Sequence, residues 1–269
     1  MLNEVTTDRR ELWHEELRDT GGYTEIVDTL DWSRQLDEID VPPFQDFNGV
    51  NGNLIAVHSE SDLQNLQRQS PSIRDAPFGD SDLKHWDTNF PEKILNAEVD
   101  HGDFTLDLWN IRTVPGSMYG EEKIKILENI YNRILAQGDR PRILAGDFNA
   151  PQDETADGEV IPWRDERNDA LSERWKNAER NILTELDTVG MVDVFRAIHG
   201  YGTLDILDIS HPTGEKGPLS GKRFDHVIAS EILNPNDCFY DETGLEYSDH
   251  APIIAEFTSD KLRPKSSTP

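Results

Sequence analysis

Short apolar runs bounded by turn residues alternate along the sequence with two longer stretches of helical periodicity. Runs rich in β-branched and aromatic residues predict buried strands, and they lie at 53–57, 94–99, 104–111, 142–146, 223–230 and 253–257. Apolar residues recur at helical spacing over 121–136 and 171–186, which predicts two amphipathic helices. A shorter helix is predicted to begin at Asp8, where Asp8 and Glu11 form a capping-box pattern, and to end at the glycine pair 21–22.

Many short strands with few helices suggest two packed, mainly antiparallel sheets flanked by helices, which is an α+β fold. At 269 residues the chain is long enough for a substantial core, and we predict a single domain over 1–258. Residues 59–91 are rich in Asp, Ser and Gln and predict a long surface excursion, with Trp86 and Phe90 packed beneath it. The tail 259–269 has few apolar residues and is expected to be flexible.

Acidic residues dominate the charge balance, with 53 Asp and Glu against 17 Arg and 9 Lys and a formal net charge of -27. The alternative of a disordered or nucleic-acid-mimicking acidic protein is set aside, because 35% of the residues are hydrophobic and six are Trp. An acid-rich, Lys-poor globular composition is typical of a high-salt cytoplasm, where about 1 M salt shortens the Debye length to about 3 Å. At low ionic strength such a surface repels a polyanion, so a nucleic-acid substrate requires salt or a local basic groove.

Cysteine usage and hydropathy bear on the compartment. Cys238 is the only cysteine in the sequence, which excludes an intrachain disulfide and fits a reducing interior. We expect it to serve as a small packed hydrophobe and not as a nucleophile. No signal peptide or long apolar segment is visible, so we expect a soluble cytoplasmic protein that makes no membrane contact. The sequence leaves the oligomeric state open.

The segment 142–149, RILAGDFN, ends an apolar strand in a carboxylate and an amide. If strand geometry continues past Gly146, Asp147 and Asn149 point to one side of the strand while Phe148 points into the core. A carboxylate and a carboxamide on one rigid edge suit a divalent cation and a phosphate oxygen. The alternative is an Asx turn that closes the strand, because Gly, Asp and Asn are common turn formers.

Two later segments place acids and histidines beside apolar runs. Residues 223–230 read RFDHVIAS, and residues 248–253 read SDHAPI. Together with GDFN at 146–149, and in that order, they resemble three signature segments of the endonuclease/exonuclease/phosphatase superfamily, which has the DNase I-like fold. The resemblance extends from about residue 2 to residue 257 and is close only at these segments. It implies a four-layer αββα sandwich and a metal-dependent hydrolase that acts on phosphate esters.

The resemblance also implies roles for residues in the three segments. Asp147 would orient or deprotonate the attacking water, and Asn149 would hydrogen-bond the substrate and the phosphorane-like state. His250 would contact the phosphoryl group as a proton carrier or electrophile, with Asp225 fixing its tautomer. Asp249 would bind Mg²⁺ or Mn²⁺. Because adjacent residues face opposite ways on a straight strand, we expect Asp249 and His250 in the turn before the last strand.

The N-terminus carries a second metal-ligand candidate. LNEV at 2–5 resembles a family strand end whose Glu binds the metal, so Glu4 is expected to share the ion with Asp249. Family members also have an earlier strand that supplies an Asn to this site. We expect either that the sequence is truncated or that the site assembles without this Asn.

Two basic residues are candidate phosphate contacts. Arg112 lies near the position where many relatives carry a phosphate-binding His, and its planar fork suits phosphate, although an ion pair is an equal alternative. Lys222 and Arg223 form the nearest basic pair to the proposed site, and Arg223 is the predicted substrate contact. Thr113-Val114-Pro115-Gly116 departs from the Tyr-Val-Pro-Asn of the abasic-site branch, which weakens that assignment. His211 sits in a turn-rich stretch and is expected to be solvated.

Three functions fit these observations. The first is a metal-dependent phosphodiesterase or nuclease acting on DNA or RNA. The second is a phosphatase or diesterase for a small phosphorylated metabolite or lipid headgroup, which the acidity and the lack of a basic groove favour. The third is a non-catalytic binding protein on the same fold, which the missing Asn and the missing family His favour.

Overall fold

The computed structural model describes residues 1–31, 51–70, 88, 90–102, 104–119, 121–138, 140–163, 169–202, 206–214 and 220–258. The chain divides into two compact units, residues 1–129 and 130–269. The single domain over 1–258 stays a prediction, and the tail 259–269 lies outside the described residues, as does Trp86.

The described part of the first unit contains six strands. Its strands are β1 Leu2–Thr6, β2 Tyr23–Asp28, β3 Asn51–His58, β4 Leu63–Arg68, β5 Ile94–His101 and β6 Phe104–Arg112. One sheet has the order β1-β3-β2, and β4, β5 and β6 pair in sequence. Val5, Leu30 and Leu54 form a buried cluster. The predicted strands at 53–57, 94–99 and 104–111 are therefore confirmed.

Three asparagine side chains join β1, β3 and β6 through the interior of the first unit. The Asn3 amide nitrogen donates to the Asn53 and Asn110 side-chain oxygens, each at 2.8 Å. Asn53 and Asn110 donate in turn to main-chain carbonyls, and both are fully buried. Every amide in this network has partners, so the network specifies strand register without the cost of an unpaired buried group.

The first helix differs from its prediction in its cap and in its packing. Helix α1 spans Arg10–Glu15 and continues as a π-helical turn to Thr20, just before the predicted stop. Its N-cap is Arg9 with no side-chain cap hydrogen bond, so the predicted capping box is wrong. Leu12 and Trp13 are exposed, because this short helix lies on the surface and buries none of its residues.

The two predicted amphipathic helices are confirmed. Helix α2 spans Glu122–Gln137, and helix α3 spans Asp169–Leu183. The apolar stripe of α2 is buried, as are Trp175, Ala178 and Ile182 of α3. A fourth helix, α4, spans Val194–His199 and was not predicted. Sheets together with flanking helices confirm the α+β class.

The second unit is built on β7 and the strands that follow it. These are β7 Arg142–Asp147, β8 Asp153–Glu154, β9 Val160–Ile161, β10 Met191–Asp193, β11 His211–Pro212, β12 Gly221–Lys222, β13 Asp225–Ser230, β14 Pro235–Tyr240 and β15 Ile253–Phe257. Strand β13 lies between β10 and β7, antiparallel to both. Three further pairs of strands are antiparallel: β8-β9, β11-β12 and β14-β15.

Among the strands absent from the sequence prediction, three have six residues each. β2 lies in a stretch whose sequence pattern favours no single type of element. β4 lies within the predicted surface excursion, and β14 begins with a proline. β4 buries only Leu66 and carries Asn65 at a φ of 60°, so it lacks the alternation that marks a strand. Phe90 is buried and packs edge-on against Tyr119, as predicted.

Cys238 is fully buried on β14, and burial raises its pKa to about 12. This confirms the prediction of a packed thiol, and the raised pKa disfavours the reactive thiolate. None of the helices in the described ranges has the length and apolar character that a membrane span requires.

Candidate active site

The end of β7 sets a carboxylate and an amide side by side. Asp147 is buried, and Asn149 adopts a left-handed φ of 46°. The Asn149 main-chain N–H donates to Asp147 Oδ1 at 2.8 Å, and its side-chain amide donates to Oδ2 at 2.9 Å. Phe148 points away into the core and is fully buried. The predicted pairing of the two side chains and the alternative Asx turn therefore occur together.

The start of β13 brings a second carboxylate next to the first. Asp225 pairs with Asp147 in the antiparallel register of β13 and β7. Its Oδ2 atom lies 2.6 Å from Nδ1 of His250. As expected, Asp249 and His250 lie in the turn before β15. A carboxylate on Nδ1 fixes the ring so that Nε2 is the nitrogen left for chemistry.

Ser210 contacts the backbone beside both members of the Asp225–His250 pair, and no local sequence pattern predicts this. Its hydroxyl accepts the main-chain N–H groups of Phe224 and Asp225 at 2.9 and 3.0 Å. Its carbonyl accepts the N–H of Ala251 at 2.7 Å. Tyr240 adds a hydrogen bond from its hydroxyl to the Asp225 carbonyl at 2.7 Å. Ser210 is fully buried, so these contacts are shielded from water.

The charge of His250 follows from these neighbours. Partial burial of the ring lowers its pKa, but the hydrogen bond and negative charge of Asp225 outweigh burial. Asp147 and Asp249 add attraction, and the net result raises the pKa of His250 to about 9. In the metal-free protein the ring is therefore an imidazolium at neutral pH and can donate to a phosphate oxygen.

His211 joins the site from the β11-β12 hairpin, against the expectation that it would be solvated. Its ring centroid lies 4.7 Å from that of His250 and 5.7 Å from that of Phe224, on which it stacks. Its Nδ1 atom is buried without a hydrogen-bond partner among the described residues. The only hint in the sequence is the turn-rich flank that a hairpin requires.

Among the described residues, two groups of possible metal-binding side chains have ligand atoms that lie within 4.8 Å of one another. One consists of Asp147, Asp225 and His250, and the other of His211, Asp249 and His250. The exposed carboxylate of Asp249 offers hard oxygen atoms, which fit Mg²⁺ or Mn²⁺. The residues of the second unit can thus accommodate a divalent cation next to the Asp225–His250 pair.

A buried ion network supports the loop that follows Asn149. The Arg223 guanidinium binds both Glu154 oxygens, at 2.6 and 2.9 Å, and Asp193 at 2.8 Å. Arg196 binds Glu154 at 2.5 Å. Burial raises the pKa of Glu154, but the two arginines outweigh it and bring that pKa down to about 2. Three hydrogen bonds of Arg223 go to protein carboxylates, which supports a structural role for this residue. Its phosphate contact stays a prediction.

His226 links this network to the same loop. Its ring is fully buried, with Nδ1 3.3 Å from Asp193 and Nε2 2.8 Å from the carbonyl oxygen of Ala150. It also packs edge-on against Phe148. The residues on both sides of Asn149 are thereby fixed, which suits a site that must present an amide in one orientation.

Glu4 and Arg112 belong to the first unit and contact each other. Their side chains form an ion pair, which is the alternative that the sequence left open for Arg112. Glu4 lies at a register shift in β1 and has a φ of 57°, a left-handed conformation that is uncommon for this residue type. Bulges of this kind re-aim a side chain. The metal role of Glu4 and the phosphate role of Arg112 stay predictions.

No protein-family model and no curated protein matches the chain. Solved structures do match it. An AP endonuclease from Archaeoglobus fulgidus is 20% identical, with a TM-score of 0.58 over 95% of this chain and 86% of that one. A truncated TDP2 from Caenorhabditis elegans is 15% identical, with a TM-score of 0.53 over 94% and 80%. TDP2 from D. rerio, complexed with a single-strand DNA product, is 14% identical, with a TM-score of 0.52 over 96% and 84%. These likenesses confirm the DNase I-like fold.

Proposed function

We propose that this protein is a divalent-metal-dependent phosphodiesterase that hydrolyses phosphodiester bonds in nucleic acid. The observation that carries the proposal is the contact of Asp225 with Nδ1 of His250 at 2.6 Å, beside the bonded pair Asp147 and Asn149. An acid, an amide and an oriented imidazolium on one edge of a DNase I-like fold are the parts that phosphoester hydrolysis requires.

Each side chain has a chemical task in this proposal. Asp147 accepts a hydrogen bond from the attacking water and orients it or removes its proton. Asn149 donates one amide N–H to the Asp147 carboxylate and can donate the other to the developing charge on phosphorus-bound oxygen. His250 donates its Nε2–H to a phosphoryl oxygen, while Asp225 keeps the ring in place.

A bound Mg²⁺ or Mn²⁺ would neutralise charge on the phosphate and on the leaving oxygen. In the second unit we propose Asp249 as a metal ligand, and in the first unit the metal role of Glu4 is a separate proposal. Both side chains are carboxylates with exposed surface, as a cation that keeps part of its water shell requires.

The choice of nucleic acid is supported by the fold neighbours, among them an AP endonuclease and a TDP2 bound to a single-strand DNA product. The net charge of -27 favours a second candidate, a small phosphodiester or phosphomonoester, because a polyanion is repelled at low ionic strength. Low salt should therefore impair the hydrolysis of nucleic acid more than the hydrolysis of a small phosphate ester.

The test is hydrolysis, in molar NaCl with Mg²⁺ or Mn²⁺, of single- and double-stranded DNA, abasic DNA, RNA and small phosphate esters. Asp147→Asn and His250→Ala should each lower kcat on the preferred substrate at least about a hundredfold, and EDTA should abolish turnover. Asp187→Asn and His101→Ala, which change residues outside the site, should retain it. Hydrolysis of only the small esters would establish the second candidate. Folded wild-type protein that hydrolyses none of the substrates would refute both.

A further inference from the structure

Two imidazoles and a carboxylate converge at one side of the candidate active site. The ligand atoms of His211, Asp249 and His250 lie within 4.8 Å of one another. His211 comes from the β11-β12 hairpin and the other two from the turn before β15, so two separate segments meet here. The mechanism proposed above uses His250 and Asp249 but gives His211 no task.

We propose that His211, Asp249 and His250 form a binding site for a borderline transition-metal cation such as Zn²⁺, which shares Asp249 with the proposed oxygen-ligand site for Mg²⁺. Imidazole nitrogen is a preferred ligand for such cations, whereas Mg²⁺ prefers oxygen ligands throughout. Two nitrogens and one oxygen with a fourth position left open is a common ligand set for zinc.

The surroundings of His250 fit a metal-bound imidazole. The Asp225 carboxylate on Nδ1 leaves Nε2 for the cation, which is the carboxylate–histidine–metal arrangement that orients ligating histidines in metalloproteins. The cation would displace the Nε2 proton, as metals generally do at imidazole. Ser210 and Tyr240 hold Asp225 in turn, so the ring is supported before any metal arrives.

His211 carries an independent sign of a missing partner. Its Nδ1 atom is buried and makes no hydrogen bond within the described part of the chain. Its ring is fixed between Phe224 and His250. Donor atoms in a tetrahedral zinc site lie about 3.3 Å apart, so any separation as wide as 4.8 Å would shorten when zinc binds. Asp249 is exposed and can move to close such a separation.

Occupancy of this site would stop the proposed hydrolysis. A cation on Nε2 of His250 uses the atom that would otherwise donate to the phosphoryl oxygen. We therefore expect Zn²⁺ to inhibit Mg²⁺-dependent turnover. The binding of zinc does not depend on the proposed function, whereas the inhibition rests on it.

The first experiment measures binding of Zn²⁺ alone by calorimetry to the chelator-treated full chain, in molar NaCl to screen the acidic surface. Wild type should bind one zinc ion tightly. His211→Ala should weaken that binding at least about tenfold. His101→Ala is the matched control, because His101 also has a buried Nδ1 without a partner in the described residues, but belongs to no metal-ligand group there. It should bind zinc as wild type does.

Histidine NMR spectra then identify the ligands. Of the eight histidines, the ring signals of His211 and His250 should shift when zinc is added, and the shifts should persist in excess Mg²⁺. Equal zinc affinity in wild type and in folded His211→Ala, or shifts confined to other histidines, would overturn the proposal.

Hydrolysis assays separate this inference from the proposed function. Zinc should inhibit wild type over the concentration range in which it binds, and inhibition of His211→Ala should require at least about ten times more zinc. Zinc binding that needs His211 in a protein with no hydrolytic activity would support the metal site while refuting the proposed function. Turnover that tight zinc binding leaves unchanged would refute the inhibition.

Discussion

At the scale of single residues, a motif side chain could be located from its strand, whereas the groups that position it could not. Asp147 and Asp225 adjoin apolar runs, so the hydrophobic pattern places them at strand ends. Ser210 and His211 lie in a stretch without periodicity. The pairing of β11 with β12 brings Ser210 and His211 close to His250, and no local sequence pattern predicts that pairing.

The protonation of His250 yields a prediction about Asp225. Asp225→Asn removes the charge that outweighs burial, so the pKa of His250 should fall from about 9 toward or below its ordinary value of about 6.5. Because the folded-state pKa is raised, the imidazolium contributes stability that is complete below about pH 6.5 and is lost as the pH rises through about 9. NMR titration of the metal-free protein measures the pKa directly.

Asp187→Asn serves as the control for this titration, since it removes an exposed carboxylate outside the site. It should leave the His250 titration unchanged. A His250 pKa that stays near 9 in Asp225→Asn would show that the other carboxylates, and not Asp225, set the charge of the ring.

Arg223 offers a test between structure and substrate contact. Arg223→Leu leaves Glu154 and Asp193 buried without their shared cation, so the free energy of unfolding should fall by about 3–5 kcal/mol. Urea denaturation at neutral pH measures this loss. If Arg223 instead contacts phosphate, stability would change little and KM would rise sharply, with Lys222→Leu as the neighbouring comparison.

At the scale of elements, the apolar period identified the strands and helices that bury a face. It failed where tertiary contacts replace local preference. β4 is a polar strand held by its ladder to β5, and α4 is capped by Asp193, whose side chain accepts the Arg196 N–H at 3.1 Å. The cap prediction for α1 failed for the opposite reason. Asp8 and Glu11 match the capping-box motif, but the N-cap of the helix is Arg9 and has no side-chain cap hydrogen bond.

The two-residue strand β8 is held in place by one carboxylate, which makes it sensitive to acid. The pKa of Glu154 is about 2 in the folded protein, below its ordinary value of 4.5, so its ionised form contributes stability above about pH 4.5 that is lost as the pH falls through 2. Glu154→Gln should therefore lower the free energy of unfolding by about 3 kcal/mol at pH 7 and flatten its acid dependence.

Urea denaturation at pH 7 and pH 3 tests this prediction. Glu159→Gln changes an exposed acid close to β9 in the same hairpin and should behave as wild type at both values. Equal losses of stability in the two variants would mean that the arginine contacts of Glu154 contribute nothing.

At the scale of the whole molecule, charge is the dominant property. A net charge of -27 makes the compact state repel itself, and salt screens that repulsion. Raising NaCl from about 0.1 M to 1 M shortens the Debye length from about 10 Å to about 3 Å. We expect the Tm to rise across that range. An equal osmolality of sucrose separates screening from general exclusion effects, and a Tm that sucrose raises as much as NaCl would contradict the electrostatic explanation.

The buried amides of the first unit also decide where Glu4 stands. Asn3 can meet Asn53 and Asn110 in only one alignment of β1, since a slip by one residue would turn its amide to the opposite face. The position of Glu4 is therefore set by the hydrogen bonds of Asn3, the residue before it. If Glu4 is replaced by another metal ligand, or if a tag is attached ahead of Met1, the side chain at position 4 should still lie beside Arg112. The condition is that Asn3 keeps its hydrogen bonds to Asn53 and Asn110.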